Sequence, residues 1–89
     1  MKCLQQKGHI ILYHRLPTWI IEVDIVSLSQ KTTISIVEVK SSKPKHFYES
    51  LQMKKLLRLQ NCLLEQELDV ELLVCYPNAG KMQIDKIET

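Results

Sequence analysis

Apolar and polar positions alternate along this chain in runs separated by short polar breaks. The first run, His9 to His14 (HIILYH), is brief and predicts a short strand. The second, Trp19 to Leu28 (WIIEVDIVSL), settles into a two-residue period from Glu22 onward. The third, Thr32 to Lys40 (TTISIVEVK), is rich in β-branched residues, which suit a pleated, half-buried surface. Ser29-Gln30-Lys31 between them has the length of a hairpin connection but lacks Asn-Gly, so its turn type is not legible.

The period then changes. Between Phe47 and Glu67, the residues Met53, Leu56, Leu57, Leu63 and Leu64 recur at helical spacing, while Lys54, Arg58, Asn61 and Glu65 fall on another face. Ser42-Lys43-Pro44 breaks the strand ahead of this helix. Val70 to Tyr76 (VELLVCY) reads as a strand closed by Pro77-Asn78-Ala79-Gly80, and Lys81 to Ile87 as a last edge strand. The predicted order is β-β-β-α-β-β. Three antiparallel strands followed by a helical crossover to a parallel neighbour make an α/β fold: a small mixed sheet with one main helix, in a single domain over 1–89.

Composition narrows the class. With 45% apolar and 25% charged residues among 89, the chain is globular, with enough core for one domain. No apolar run approaches the roughly 18–20 residues that a membrane helix needs, and no signal-peptide pattern follows Met1-Lys2. Cys3, Cys62 and Cys75 are odd in number and form no Cys-x-x-Cys pair, which predicts reduced thiols in a cytoplasmic protein, two of them in the core, with Cys62 in the helix core. Cys62 has no partner pattern for a thiol protease. His9, His14 and His46 have no metal-ligand spacing, and Trp19 and Tyr13, although able to stack on a base, read first as core or dimer packing.

Charge adds a direction. The net charge is only +2, but Lys40, Lys43, Lys45, Lys54, Lys55 and Arg58 cluster with Glu49 as the one acid among them. Such a patch steers a phosphate backbone to one face, and its plain alternative is a solvated helix surface. Lys43, Lys45, Lys54, Lys55 and Arg58 are therefore the candidate nucleic-acid contacts.

The sharpest chemistry lies in the second and third strands. Glu22 and Asp24 share one face of the second, and Ile34, Ile36, Glu38 and Lys40 share one face of the third, because side chains alternate. A hairpin symmetric about Lys31 sets Asp24 directly opposite Glu38, with Cβ atoms about 4.5–5.5 Å apart. Two like charges at that distance repel, and a divalent cation bound by one or two carboxylates is a common resolution. Lys40 follows roughly 7 Å further along the strand, which leaves room for a phosphate between ammonium and metal. Asp24, Glu38 and Lys40 are the candidate catalytic set, Asp24 and Glu38 the candidate ligands of Mg²⁺ (or Mn²⁺), and Glu22 and Gln52 candidates for the outer shell. The bland reading is an ordinary pair of charges on a solvated strand.

These residues carry a resemblance. Glu-Val-Asp-Ile-Val (22–26) followed by Ile-Val-Glu-Val-Lys (36–40) resembles the core of the PD-(D/E)XK nuclease superfamily, closest to its YraN-like group, which is similar to Holliday-junction resolvases. Upstream, Lys7 to Arg15 (KGHIILYHR) is similar to that group's glycine-aromatic stretch, with His9 where an aromatic is usual, and Thr18 and Glu22 fall in place; downstream, Glu49, Lys55 and Arg58 resemble its glutamate and basic helix positions. The likeness covers roughly Lys7 to Leu64. It implies a restriction-endonuclease-like core, Asp24 and Glu38 as metal ligands, Lys40 as the catalytic lysine, Mg²⁺ or Mn²⁺ dependence and a DNA substrate, often branched. No small-molecule cofactor and no membrane partner are expected. Two departures stand out: only Met1 to Lys7 precedes the first strand where the group opens with a full helix carrying a glutamate, and Ile21 replaces the glycine usual before Glu22. A shortened first helix leaves an apolar sheet surface for a second copy, so a homodimer is expected. The leading expectation is a metal-dependent DNA endonuclease-like domain. The alternatives are a catalytically inactive nucleic-acid-binding or scaffolding module on the same fold, and a structural interaction protein.

Overall fold

The structure, a computed structural model, describes residues 2–29, 32–42 and 50–87. A short helix α1 (Lys2–Gln6) leads into strands β1 (Ile10–Pro17), β2 (Glu22–Leu28) and β3 (Ile34–Val39), then helix α2 (Leu51–Leu64) and strands β4 (Val70–Asn78) and β5 (Lys81–Lys86). The five strands form one sheet in the order β1-β2-β3-β4-β5. Every neighbouring pair is antiparallel except β3 and β4, which run parallel and are joined through α2. The expected mixed α/β sheet with one main helix is what the chain builds. Among the described residues, no helix is long and apolar enough to cross a membrane.

Register decides the site, and β2–β3 has the register that symmetry about Lys31 requires: Ile25 faces Val37, and Val26 faces Ile36. The next step along the ladder brings Asp24 beside Glu38. Gln30 and Lys31 themselves lie outside the described residues. In β1–β2, Leu12 is an extra residue, because the register shifts between Ile11 and Tyr13, and Arg15 adopts a left-handed backbone with φ 53°. At the other edge, Ala79 and Gly80 both have positive φ, 52° and 77°, as a two-residue type I′ hairpin requires.

Some boundaries differ from expectation, each for a local reason. The first strand is longer than His9–His14, and the second begins at Glu22 rather than Trp19. Thr18 accounts for the late start. Its hydroxyl accepts from the backbone N–H of Ile20 at 3.2 Å and of Ile21 at 3.0 Å, and donates to the Ile21 carbonyl at 2.5 Å. This closed turn occupies backbone groups that a strand would use, and it leaves Trp19 75% exposed rather than in core or strand. The main helix is shorter than Phe47–Glu67. Ser50 caps it, accepting from Met53 N–H at 3.0 Å, while Phe47 lies outside the described residues. Its buried residues are Met53, Leu56 and Leu59; Leu57 and Leu63 are half-buried, and Leu64 is exposed. The apolar stripe follows the 3.6-residue turn through Leu59 and leaves Leu64 on the flank.

Side-chain alternation gives the sheet two different faces. Helix α2 covers one, where Val26, Ile36, Leu72 and Val74 meet Met53, Leu56 and Leu59. Leu4 of α1 covers the other, packing with Ile25, Val37, Leu73 and Cys75. On that second face, two fully buried serines find partners. Ser27 Oγ meets His9 Nδ1 at 2.9 Å, and Ser35 Oγ donates to Glu71 at 2.6 Å. Cys75 is buried and its thiol is pushed up to about 12, chiefly by burial and then by neighbouring Cys3, so it stays protonated and inert. Cys62, expected in the helix core, is half-buried, as is Cys3. Cys62 lies beyond the edge of the Met53–Leu56–Leu59 stripe.

Candidate metal centre

The site forms where β2, β3 and the first turn of α2 converge. Glu38 lies two residues beyond Ile36 on the α2 face and is 4% exposed. Asp24, half-buried on β2, is held by the backbone of the neighbouring strand: Val39 N–H donates to Asp24 Oδ2 at 2.9 Å. From above, Gln52 on the first turn of α2 donates through Nε2 to Glu38 Oε1 at 2.5 Å. Lys40 Nζ donates to Gln52 Oε1 and stands 3.6 Å from Glu38 Oε1. Lys40 also takes its place through the sheet, since its N–H donates to the Cys75 carbonyl of β4 at 2.8 Å. Three elements thus fix four side chains, and the Ser50 cap fixes the rotation of the helix that carries Gln52.

The electrostatics of this cluster are unbalanced. Glu38 is pushed up to about 7, first by burial and next by the negative charge of Asp24, against the opposing pull of Lys40 and Gln52. Its Oε1 is well served, but its Oε2 is buried without a hydrogen-bond partner among the described residues. The Asp24–Glu38 pair, when both carboxylates are ionised, is left with an uncompensated repulsion. A shared proton relieves it, as does a cation with hard oxygen ligands. Mg²⁺ or Mn²⁺ fits this donor set, since Mg²⁺ binds through one or two carboxylates and keeps several waters.

The other expected residues sit elsewhere. Glu22 is exposed at the start of β2 and accepts from Arg15 Nε at 3.4 Å. Lys54, Lys55 and Arg58 are exposed on α2. Lys43, Lys45, His46 and Glu49 lie outside the described residues. His14 is exposed and His9 is engaged with Ser27, and among the described residues no three His, Cys, Asp or Glu side chains gather as a metal cage. Arg15 closes the Lys7–Arg15 stretch that carries the family likeness, but the sequence assigns it no place at the site. It sits across from Asp24, between the His14–Ile25 and Leu16–Val23 pairs, and the extra residue at Leu12 hides that placement from simple alternation.

A search of curated proteins finds no match to the chain. The model of the Uncharacterised protein family UPF0102 matches residues 1–85, and the chain therefore belongs to that family, the YraN-like group of the PD-(D/E)XK superfamily.

Proposed function

We propose that this protein is a metal-dependent endonuclease-like domain acting on phosphodiester bonds in DNA, branched DNA included. The observation that carries the reading is buried Glu38, raised by burial and by its acidic neighbour Asp24 and with one oxygen lacking a hydrogen-bond partner among the described residues, with Lys40 held beside it by Gln52. Asp24 and Glu38 would hold one Mg²⁺ or Mn²⁺, which when bound polarises a phosphoryl oxygen and makes water a better nucleophile. Lys40 supplies what the carboxylates lack. Its ammonium is restrained by Gln52 and Glu38, so it is preorganised to donate to a phosphoryl oxygen as negative charge builds there. In the reaction, water oxygen bonds to phosphorus, the ester bond to the leaving oxygen breaks, and that oxygen takes up a proton. Gln52 spans the acid and the amine and keeps both in one geometry. Lys54, Lys55 and Arg58 offer positive charge on the exposed side of α2 for the flanking backbone.

The test is thermal melting with and without millimolar Mn²⁺ or Mg²⁺. A specific ion raises the melting temperature by mass action, and Asp24→Asn abolishes the rise. An equal rise in Asp24→Asn removes the ion from this site. Cleavage of a branched-DNA panel then separates the nuclease from an inactive binding module, which would bind the same DNA and leave it intact.

A further inference from the structure

A recess of about 220 Å³ opens on the α2 face, with walls that include Trp19, Val23, Val26, Ile36 and Leu59. It adjoins the candidate metal centre: Val23 and Val26 bracket Asp24, and Ile36 precedes Glu38 by two residues on the same face. Its walls are apolar. The one hydroxyl on its rim, Thr18 Oγ1, is already committed to the backbone of Ile20 and Ile21. Trp19, the only tryptophan of the chain, stands 75% exposed at its mouth, held there by the Thr18 turn.

We propose that this recess is a nucleobase subsite: Trp19 stacks on an unpaired base of the strand whose phosphate lies at Asp24, Glu38 and Lys40. This proposal rests on the nucleic-acid reading above. Three observations select this occupant. The recess ends near the phosphate-facing residues: its wall residue Ile36 lies two positions before Glu38 on the same strand face, roughly 7 Å along β3, a spacing that a base and its own phosphate can span. Exposed Lys55, on the same side of α2 as Leu59, and Arg15, beside Leu16 on β1 and paired there with Glu22, lie at its margin, and the Lys55 charge suits an anionic backbone. Its walls offer no free donor or acceptor, so a base gains from its π-face while its polar edge stays toward water. The subsite therefore prefers unpaired nucleotides without choosing among bases. Frayed ends, flaps and the unstacked bases at a branch present such nucleotides; a continuous duplex does not.

Because Trp19 is the only tryptophan, the intact protein reports the contact directly. The experiment is a titration at low salt with oligothymidylate and with an abasic oligonucleotide of equal length, read by tryptophan emission and by affinity. Stacking quenches emission with oligothymidylate and not with the abasic strand, and the abasic strand binds more weakly. Trp19→Ala weakens oligothymidylate binding roughly 5- to 150-fold, leaves abasic binding unchanged, and Trp19→Phe recovers part of the loss. Equal binding of both strands with no quenching overturns the subsite alone and leaves a phosphate-only contact at the metal centre. Emission that shifts with protein concentration in the absence of DNA also overturns it, and gives Trp19 to a contact between two copies. Failure of both strands to bind overturns the subsite together with the nucleic-acid reading, whereas the Mn²⁺ melting shift judges the ion site independently of Trp19.

Discussion

The two faces of the sheet bury polar groups in opposite ways. On the α1 face, Ser27 and Ser35 are completely enclosed, and each has a partner on an adjacent segment. On the α2 face, Glu38 is nearly as enclosed, yet one of its oxygens has no partner among the described residues and its neighbour is another acid. Buried polar groups in native proteins are overwhelmingly satisfied. The α1 face obeys that rule with residues of low charge. The α2 face breaks it with a carboxylate, beside the lysine and glutamine that crown the same strand end. The contrast sets polar residues satisfied within the fold against a buried carboxylate that is not.

The largest break of this contrast is expected at Lys40. Lys40→Ala should lower the rate of branched-DNA cleavage in Mn²⁺ by about 10²–10⁴-fold, measured under single-turnover conditions, while the Mn²⁺ melting shift survives. An unchanged rate would take Lys40 out of the chemistry.

Next comes Glu38. Its rise from 4.5 to about 7 corresponds to roughly 3 kcal/mol of disfavoured ionisation. The folded state binds this proton more tightly than the unfolded state does. Its stabilising contribution is therefore complete below pH 4.5 and is lost as pH rises through about 7. Metal-free protein should thus lose stability across that window, and Glu38→Gln should flatten the profile and raise the melting temperature at pH 8. The same substitution should erase the response to Mn²⁺, so the variant is more stable and less able. A pH profile identical in wild type and variant would refute the assignment.

A smaller effect is expected on the satisfied face. Ser35→Ala strips the half-buried Glu71 of its donor and should cost about 1–3 kcal/mol in urea unfolding, with the Mn²⁺ melting shift intact. Loss of that shift would mean that the two faces are coupled. The smallest effect lies outside both. Ala79 holds a left-handed conformation that asparagine tolerates better, so Ala79→Asn should add about 0.5–1 kcal/mol without touching ion or DNA responses.

Much of this arrangement was legible in the sequence because it is local. The Asp24–Glu38 juxtaposition needs only a two-residue period in β2 and β3 and a symmetric connection, and both were readable from Glu22 to Lys40. The mixed sheet followed from a helical period placed between two strand periods. What escaped notice depends on side chains competing with the backbone. Thr18 closes a turn that ends the apparent strand at Trp19, and an extra residue at Leu12 moves Arg15 across from Asp24. The partners of Ser27 and Ser35 come from the β1 end and from β4, and no pattern within either strand announces a contact with His9 or Glu71. Gln52 was visible only as a polar residue early in a helix; its bridging role depends on how α2 docks.

Strand β1 leaves one side of its backbone ladder open and turns Ile10, Leu12 and Tyr13 to solvent. A flat edge of that kind would template further strands and drive aggregation. The extra residue at Leu12 and the left-handed Arg15 divide the edge into short, differently twisted pieces, so an incoming strand loses register after a few residues. Backbone shape at these two positions thus interrupts the edge independently of the charge the surface carries. Deleting Leu12 would remove one of the two interruptions and lengthen the regular stretch of edge up to Arg15.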